Sequence, residues 1–347
     1  MRLCGWFRSK FSAEWELAFA LDANPVKTSI RNHRSHCCRI NLSLPEPAQL
    51  SDRNVFSLFN HPFIRAMRPK HWVKNSFVLA PLFFGGKLTD TTAAIHVFAC
   101  FIAFCLAASA VYLMNDTLDR EKDRLHPLKK HRPIASGEVS IRQAQWGIIL
   151  LLAPAFALAF YADFSAGLVV LGYFLLNVAY SLFLKHIVIL DVATIATGFV
   201  LRVLGGALAA HVEPSHWLLI ATFLVALFIA LIKRRQELRS AGNIAEDQRS
   251  VLSDYSLEMI DLLLAIVTPA TFFVYLAYTL DADTVSRLSA PHLYLTSIFV
   301  LFGLLRYVAL TFGNELSESP VSILFNDKTL QFTVLLWAGM FAWIVYN

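Results

Sequence analysis

From about residue 76 to the C-terminus, long apolar runs alternate with short polar segments, each run near the ~20 residues that let a helix cross a ~30 Å hydrocarbon core. The pattern predicts spans near 76–88, 92–114, 144–162, 164–183, 189–211, 216–232, 258–280, 293–312 and 329–346. The first run is short and carries Pro81, Gly85 and Gly86. It is therefore expected to kink, tilt or merge with an interfacial segment. The fold class that follows is all-α, a polytopic membrane helical bundle of about nine transmembrane helices. Composition agrees, since 56% of the 347 residues are hydrophobic and only 16% are charged.

The cations give this bundle an orientation, because cytoplasmic loops keep Lys and Arg. Arg65, Arg68, Lys70 and Lys74 precede the first span; Arg120, Lys122, Arg124, Lys129, Lys130, Arg132 and Arg142 fill the second loop. Lys185 lies in the fourth, Lys233, Arg234, Arg235, Arg239 and Arg249 in the sixth, and Lys328 in the eighth. The intervening loops near Asp163, Glu213 and Asp281 carry almost none, Arg287 being the exception. The N-terminus is thus expected in the cytoplasm and the C-terminus outside. Read this way the net charge of +5 is a matter of topology, and no nucleic-acid partner is expected.

Residues 1–60 differ in kind. Their only apolar stretch, "FSAEWELAFAL", is interrupted by Glu14 and Glu16 and is too short and charged for a signal peptide or a span. They read as a partly disordered cytoplasmic extension, with 61–347 as the transmembrane domain; alternatively, Met67 is the true start. "NHRSHCC" offers His33, His36, Cys37 and Cys38, but at no standard zinc spacing. Cys100 and Cys105 fall inside a span, and no disulfide framework is visible.

Chemistry enters with "NDTLDREKDRLHPLKKHRP". Asp116, Asp119 and Asp123 are spaced three and four apart, which puts three carboxylates on one helix face, where they repel unless a cation sits among them. Asn115 adds a neutral oxygen. Oxygen donors without His or Cys suit Mg²⁺. A solvated loop neutralised by Arg120, Lys122 and Arg124 would show the same spacing. The next residues shift the balance: Lys129, Lys130, His131 and Arg132 lie between two prolines that break helix. Acids beside a cationic loop suit a diphosphate bridged by metal. Other cytoplasmic ends add Arg68, Lys70, Lys74 and Asn75, then Tyr180, Lys185 and Asp191, then Lys233 and Arg234. Arg202 lies within the fifth span, where an ionisable side chain suggests a polar cavity or a structural ion pair.

Together these residues resemble the UbiA superfamily of intramembrane prenyltransferases, whose first motif N-D-x-x-D-x-x-x-D is matched by Asn115, Asp116, Asp119 and Asp123. The decaprenyl-phosphate phosphoribosyltransferase branch is matched more closely still, through "RPKHWVKN" (68–75), 115–137, "YSLFLK" with Asp191, "KRRQEL" (233–238), "LRYVAL" (305–310) and "NDKTLQFTVLLW" (326–337). The resemblance covers about residue 61 to the end. It implies a central polar cavity open to the cytoplasmic side of a bacterial inner membrane. The implied reaction is Mg²⁺-dependent transfer of 5-phosphoribose from phosphoribosyl diphosphate to a polyprenyl phosphate, releasing pyrophosphate and leading towards arabinosylation of cell-envelope glycans or a nodulation signal. Asp116, Asp119 and Asp123 would hold the metal, with Asn115 completing the motif. Lys129, Arg132, Tyr180 and Lys185 would grip the donor; Lys70, Lys74, Lys233 and Arg234 are candidates for the acceptor or the 5-phosphate. One departure bears on substrate: ordinary relatives carry a second D-x-x-x-D in the sixth loop, whereas "KRRQELRSAGNIAEDQRSVLSDY" is rich in bases. That disfavours one alternative, a prenyl diphosphate donor with an aromatic acceptor; the other, a membrane transporter, is disfavoured because the charged groups cluster on the cytoplasmic side instead of at both mouths or the midplane.

Overall fold

The computed structural model describes residues 61–127, 129–241, 254–313, 323 and 326–346. The expected N-terminal extension, its His and Cys run, and the sixth loop beyond Ala241 lie outside the described residues. In chain order the helices are α1 (Pro62–Met67), a 3-10 helix (Pro69–Leu79), α2 (Ala80–Phe84), α3 (Thr91–Leu118), α4 (Arg120–Leu125), α5 (Pro133–Ser136), α6 (Ile141–Ala162), α7 (Phe164–Leu182) and α8 (Leu190–Ala209). They continue with α9 (His216–Ala241), α10 (Leu257–Leu280), α11 (Ala282–Leu288), α12 (Ser297–Gly313) and α13 (Lys328–Tyr346). Among the described residues eight helical segments are long and apolar enough to cross a membrane. The chain is a multi-pass membrane protein.

The run expected at 76–88 is different in kind. It is built from the 3-10 helix followed directly by α2, and together they hold only 16 residues, Pro69 to Phe84. A 3-10 helix rises ~2.0 Å per residue against ~1.5 Å in an α-helix, so 11 residues of one and five of the other still cover about 30 Å. A stretch too short for an α-helical span thus has the length of a crossing, and the bundle keeps its ninth passage. Pro69 starts it at the first helical position, where a missing amide costs nothing.

Small residues let the passages approach closely, as expected where lipid supplies no hydrophobic drive between helices. α3 packs on α6 through Ala103, Ala107 and Ala110 against Ala144, Ala155 and Ala159, all fully buried. Large apolar side chains turn outward instead: Trp146, Leu150, Phe164, Phe273, Leu335 and Trp343 are exposed, as a lipid-facing belt requires. The 3-10 helix is wedged between α3 and α8. A Cβ at Gly206 of α8 would run into the Val78 backbone carbonyl, so only glycine admits this crossing.

Gly206→Ala is expected to cost about 1–3 kcal/mol by overpacking and to lower the thermal midpoint of the purified protein. Gly303→Ala is the control, because its Cβ would meet nothing closer than the Thr333 methyl at 3.9 Å. Equal midpoints for the two variants would contradict the close crossing.

Candidate active site

α3 runs past the expected limit at residue 114, so that Asn115 and Asp116 lie on its last turn and Asp119 caps it. The Asp123 amide donates to the Asp119 carbonyl at 2.8 Å, so α4 resumes almost in register with α3. The three-and-four spacing therefore does place the acids along one side, but their exposures differ. Asp116 and Asp123 are buried, whereas the Asp119 side chain is 31% exposed.

Each carboxylate has its own cation. Arg68 Nη2 donates to both oxygens of Asp116 at 2.6 and 2.8 Å. Arg132 Nη1 donates to Asp116 Oδ1 at 3.2 Å and to Asp123 Oδ2 at 2.7 Å. Lys185, on the short turn after α7, donates to Asp119 at 2.8 Å. Three acids are matched by three cations, and a mutual repulsion has become a network. Arg68 pays for its place with a left-handed backbone, φ 53° and ψ 57°. Such strain costs a non-glycine residue about 1–3 kcal/mol, whereas breaking a buried ion pair costs about 3–5 kcal/mol, so the pair with Asp116 outweighs it.

The 3-10 helix then sets a row of basic side chains beside the acids, beginning with Arg68 itself. With three residues per turn, positions i, i+3 and i+6 eclipse. Arg68, His71 and Lys74 form one row; Trp72, Asn75 and Val78 form another, turned inward; Lys70, Val73 and Ser76 form the third, exposed and turned away. Trp72 donates to Ser109 Oγ at 3.0 Å and Asn75 to Cys105 Sγ at 3.3 Å, which locks the rotation of the helix. His71 Nδ1 lies 3.2 Å from the Tyr112 hydroxyl, and the Arg68 guanidinium sits over the Tyr112 ring at 5.0 Å.

His71 and Lys74 are exposed. Among the described residues Lys74 has no carboxylate partner, so positive charge is in surplus here.

The other expected site residues divide. Arg202 is 7% exposed and donates to Asn75 Oδ1 (2.7 Å), the Gly198 carbonyl (2.7 Å) and the Tyr173 hydroxyl (2.9 Å), with Tyr173 and Phe199 against its guanidinium. Its partners are neutral, so its charge adds to the surplus beneath Lys74, and Asn75 positions it from below. Asn115 accepts from Ser181 of α7. Arg234, expected to bind substrate, is 3% exposed, with Asp191 at 2.8 Å and Glu237 as partners. It cannot reach an open cavity without breaking that pair. Lys233, one residue earlier, is 60% exposed and has Glu237 at 3.8 Å. Tyr180 lies within electrostatic reach of Arg234. The Lys129 amide donates to His126 Nδ1, placing it beside the acid network, and Lys70 stands on the exposed row away from it. Tyr255 completes the support: its hydroxyl donates to Asp191 at 2.7 Å and accepts the amide of Ile189, whose φ is 68°. That contact fixes the segment carrying Lys185.

A divalent ion fits part of this set. Asp116 and Asp123 converge on a single guanidinium nitrogen of Arg132, which occupies the place of a shared cation, and all nearby donors are hard oxygens. Asp119 is turned to Lys185 instead. Among the described residues no three acids, histidines or cysteines form one ligand group. Residues that sequence reasoning left out are His71, Tyr112, Ser181 and Tyr255. The signal for His71 was the spacing of three in "RPKHWVK", which has meaning only in a 3-10 helix.

Comparison with known proteins follows the same lines. The model described as the UbiA prenyltransferase family matches residues 77–243. A decaprenyl-phosphate phosphoribosyltransferase of Corynebacterium glutamicum is 32% identical over 82% of this chain and 86% of its own length. The nodulation protein NoeC of Azorhizobium caulinodans is 31% identical over 51% of this chain and 57% of its own. Among solved structures, a UbiA homolog from Archaeoglobus fulgidus bound to DMAPP and Mg²⁺ superposes with a TM-score of 0.63 at 20% identity, covering 82% of this chain and 99% of that one, which establishes a common fold.

Proposed function

The chain belongs to the UbiA prenyltransferase family, and from that premise we propose that it transfers 5-phosphoribose from phosphoribosyl diphosphate to a polyprenyl phosphate at the cytoplasmic face of a bacterial inner membrane. It is a membrane-embedded transferase of prenyl-phosphate chemistry. The observation that carries the finer reading is the pairing of two unlike anion sites. One is the acid network with its own cations; the other is the exposed Lys74, which among the described residues has no carboxylate partner, and Arg68 stands between the two. A donor that carries a diphosphate and an acceptor that carries a phosphate need such a division. Residues 61–347 would form the transferase, with 1–60 as a cytoplasmic extension.

In this reaction an oxygen of the lipid phosphate attacks C1 of the ribose, the C1–O bond to the diphosphate breaks, and pyrophosphate leaves with the electron pair. No general base is required, because the lipid phosphate is already an anion at neutral pH. Asp116 and Asp123 would hold Mg²⁺, exchanging Arg132 for it, while Asp119 and Asn115 border the site. When bound, the metal supplies charge neutralisation to the departing diphosphate. Arg132, once released, and Lys185 with Lys129 would hold the donor's phosphate oxygens. Arg68, Lys74 and Lys233 would receive the lipid phosphate, with Arg202 raising the local potential from below. His71, whose Nδ1 meets the Tyr112 hydroxyl, would present a ring N–H to it. Stabilisation of separated charge by fixed donors is the main source of rate in such a site. Product sugar-lipid would supply arabinosylation of envelope glycans or, as the NoeC similarity supports, of a nodulation signal.

Membranes containing the chain, given labelled phosphoribosyl diphosphate, Mg²⁺ and polyprenyl phosphate, are expected to carry label into the lipid phase. Label transfer only from a prenyl diphosphate to an aromatic acceptor would overturn the assignment. Asp116→Asn and Asp123→Asn should each lower turnover about 10²–10³-fold. Lys185→Ala should raise the KM for donor, and Lys74→Ala the KM for lipid. An unchanged KM for lipid in Lys74→Ala would take Lys74 out of substrate binding.

A further inference from the structure

The opposite end of the bundle carries a second polar site. α3 is 28 residues long, about 42 Å, with Asp116 near its end and Asp90 capping its start, so the loops at its start lie a full membrane thickness from the acid network. There a cavity of about 420 Å³ is lined by Lys87, His211, Glu213 and Arg287, with Leu288 and Val345 on its flank. A smaller cavity of about 10 Å³, the size of one water, adjoins it, shares Glu213 and Arg287, and is bordered by Tyr278.

Buried polar atoms in folded proteins almost always have partners. Among the described residues two buried side-chain atoms lack one, Tyr278 Oη and His96 Nδ1. Both border this end. Tyr278 is 2% exposed and lines the smaller cavity, and the His96 ring lies 6.0 Å from that of His211, edge on. The cations are lightly engaged. Arg287 Nη1 donates to the Glu213 backbone carbonyl at 3.0 Å, and Lys87 meets Asp90 only at 3.4 Å with both side chains well exposed. His211 itself is held at φ 51°, a left-handed conformation that strains a non-glycine residue. Leu88, 51% exposed, and the C-terminal turn of α13 give the mouth an apolar lip.

We propose that this cavity binds the headgroup of a zwitterionic phospholipid of the outer leaflet, its phosphodiester between Arg287 and Lys87 and its ammonium against Glu213. Two cations with one acid suit a headgroup that carries both charges better than a purely anionic one. The cavity adjoins the end of the membrane-crossing helix α13 through Val345, the level at which headgroups give way to acyl chains. Two charge-assisted contacts to the phosphodiester against one to the ammonium make the phosphate the anchor.

The full chain, purified in detergent and delipidated, can be titrated with phosphatidylethanolamine, phosphatidylglycerol and diacylglycerol and read by native mass spectrometry. Phosphatidylethanolamine should be retained in preference to phosphatidylglycerol, and diacylglycerol should not be retained. Arg287→Ala and Lys87→Ala should each weaken that retention about tenfold, and Glu213→Gln should narrow the preference between the two phospholipids. Size-exclusion profile and thermal midpoint report folding; should Arg287→Ala fail to fold, Arg287→Gln and Lys87→Ala carry the test. Unchanged retention in folded variants, or equal retention of diacylglycerol, would overturn the site. Saturation by O-phosphoethanolamine or inorganic phosphate without retention of lipid would overturn the lipid as its occupant.

Discussion

Burying a carboxylate at the end of a membrane helix is costly unless a cation meets it, and Asp116 is where this chain meets that cost. The 3% exposed side chain is held by Arg68 from the 3-10 helix and by Arg132 from the loop beyond α4. Those two contacts draw three separate segments to one point. Arg68 accepts a left-handed backbone to reach it, and that turn in the chain sets the start of the 3-10 helix. The same helix then displays His71 and Lys74 beside the acids. Anchoring the acid and displaying the cations are consequences of one ion pair.

The remainder of the site is held from behind. Asp191, Arg234 and Tyr255 are buried together, and Tyr255 also accepts the strained Ile189 amide, so the segment carrying Lys185 is tied to α9 and to the start of α10. Burial first, then its bond to Asp191, raises the Tyr255 phenol, which keeps it a proton donor throughout the physiological range. Arg235 repeats the device one turn-face away, meeting Asp261 at 2.6 Å with the Phe312 ring 3.9 Å from its guanidinium. Accessible cations therefore stand on a base of inaccessible ones. Mobility at the reacting end can be small even though its groups face water.

Much of this was legible in the sequence because bilayer thickness imposes a length on every passage. Expected spans such as 164–183 and 258–280 agree with Phe164–Leu182 and Leu257–Leu280 to within a residue at each end. The end of α3 was not, because hydropathy falls at Asn115 whereas backbone hydrogen bonding continues to Leu118. The acid motif was legible through its spacing, but its division into a convergent pair and a separate Asp119 was not, since partners come from distant segments. Lys233 and Arg234 look alike in sequence. One step around the helix separates an exposed side chain from a buried one, and only packing fixes that phase. Nor does hydropathy distinguish a 3-10 helix from an α-helix, so the row of Arg68, His71 and Lys74 stayed hidden within a cluster of positive-inside charges.

On the proposed function the acid network is a cation site occupied from within by Arg132 and Arg68, which would yield to a metal brought by a diphosphate. Electron paramagnetic resonance of Mn²⁺ in the detergent-purified protein, titrated with and without phosphoribosyl diphosphate, tests this most directly. Tight Mn²⁺ binding that requires the diphosphate, couples to its phosphorus, and is lost in both Asp116→Asn and Asp123→Asn is expected. Equal Mn²⁺ binding by those variants and the wild type would contradict the exchange.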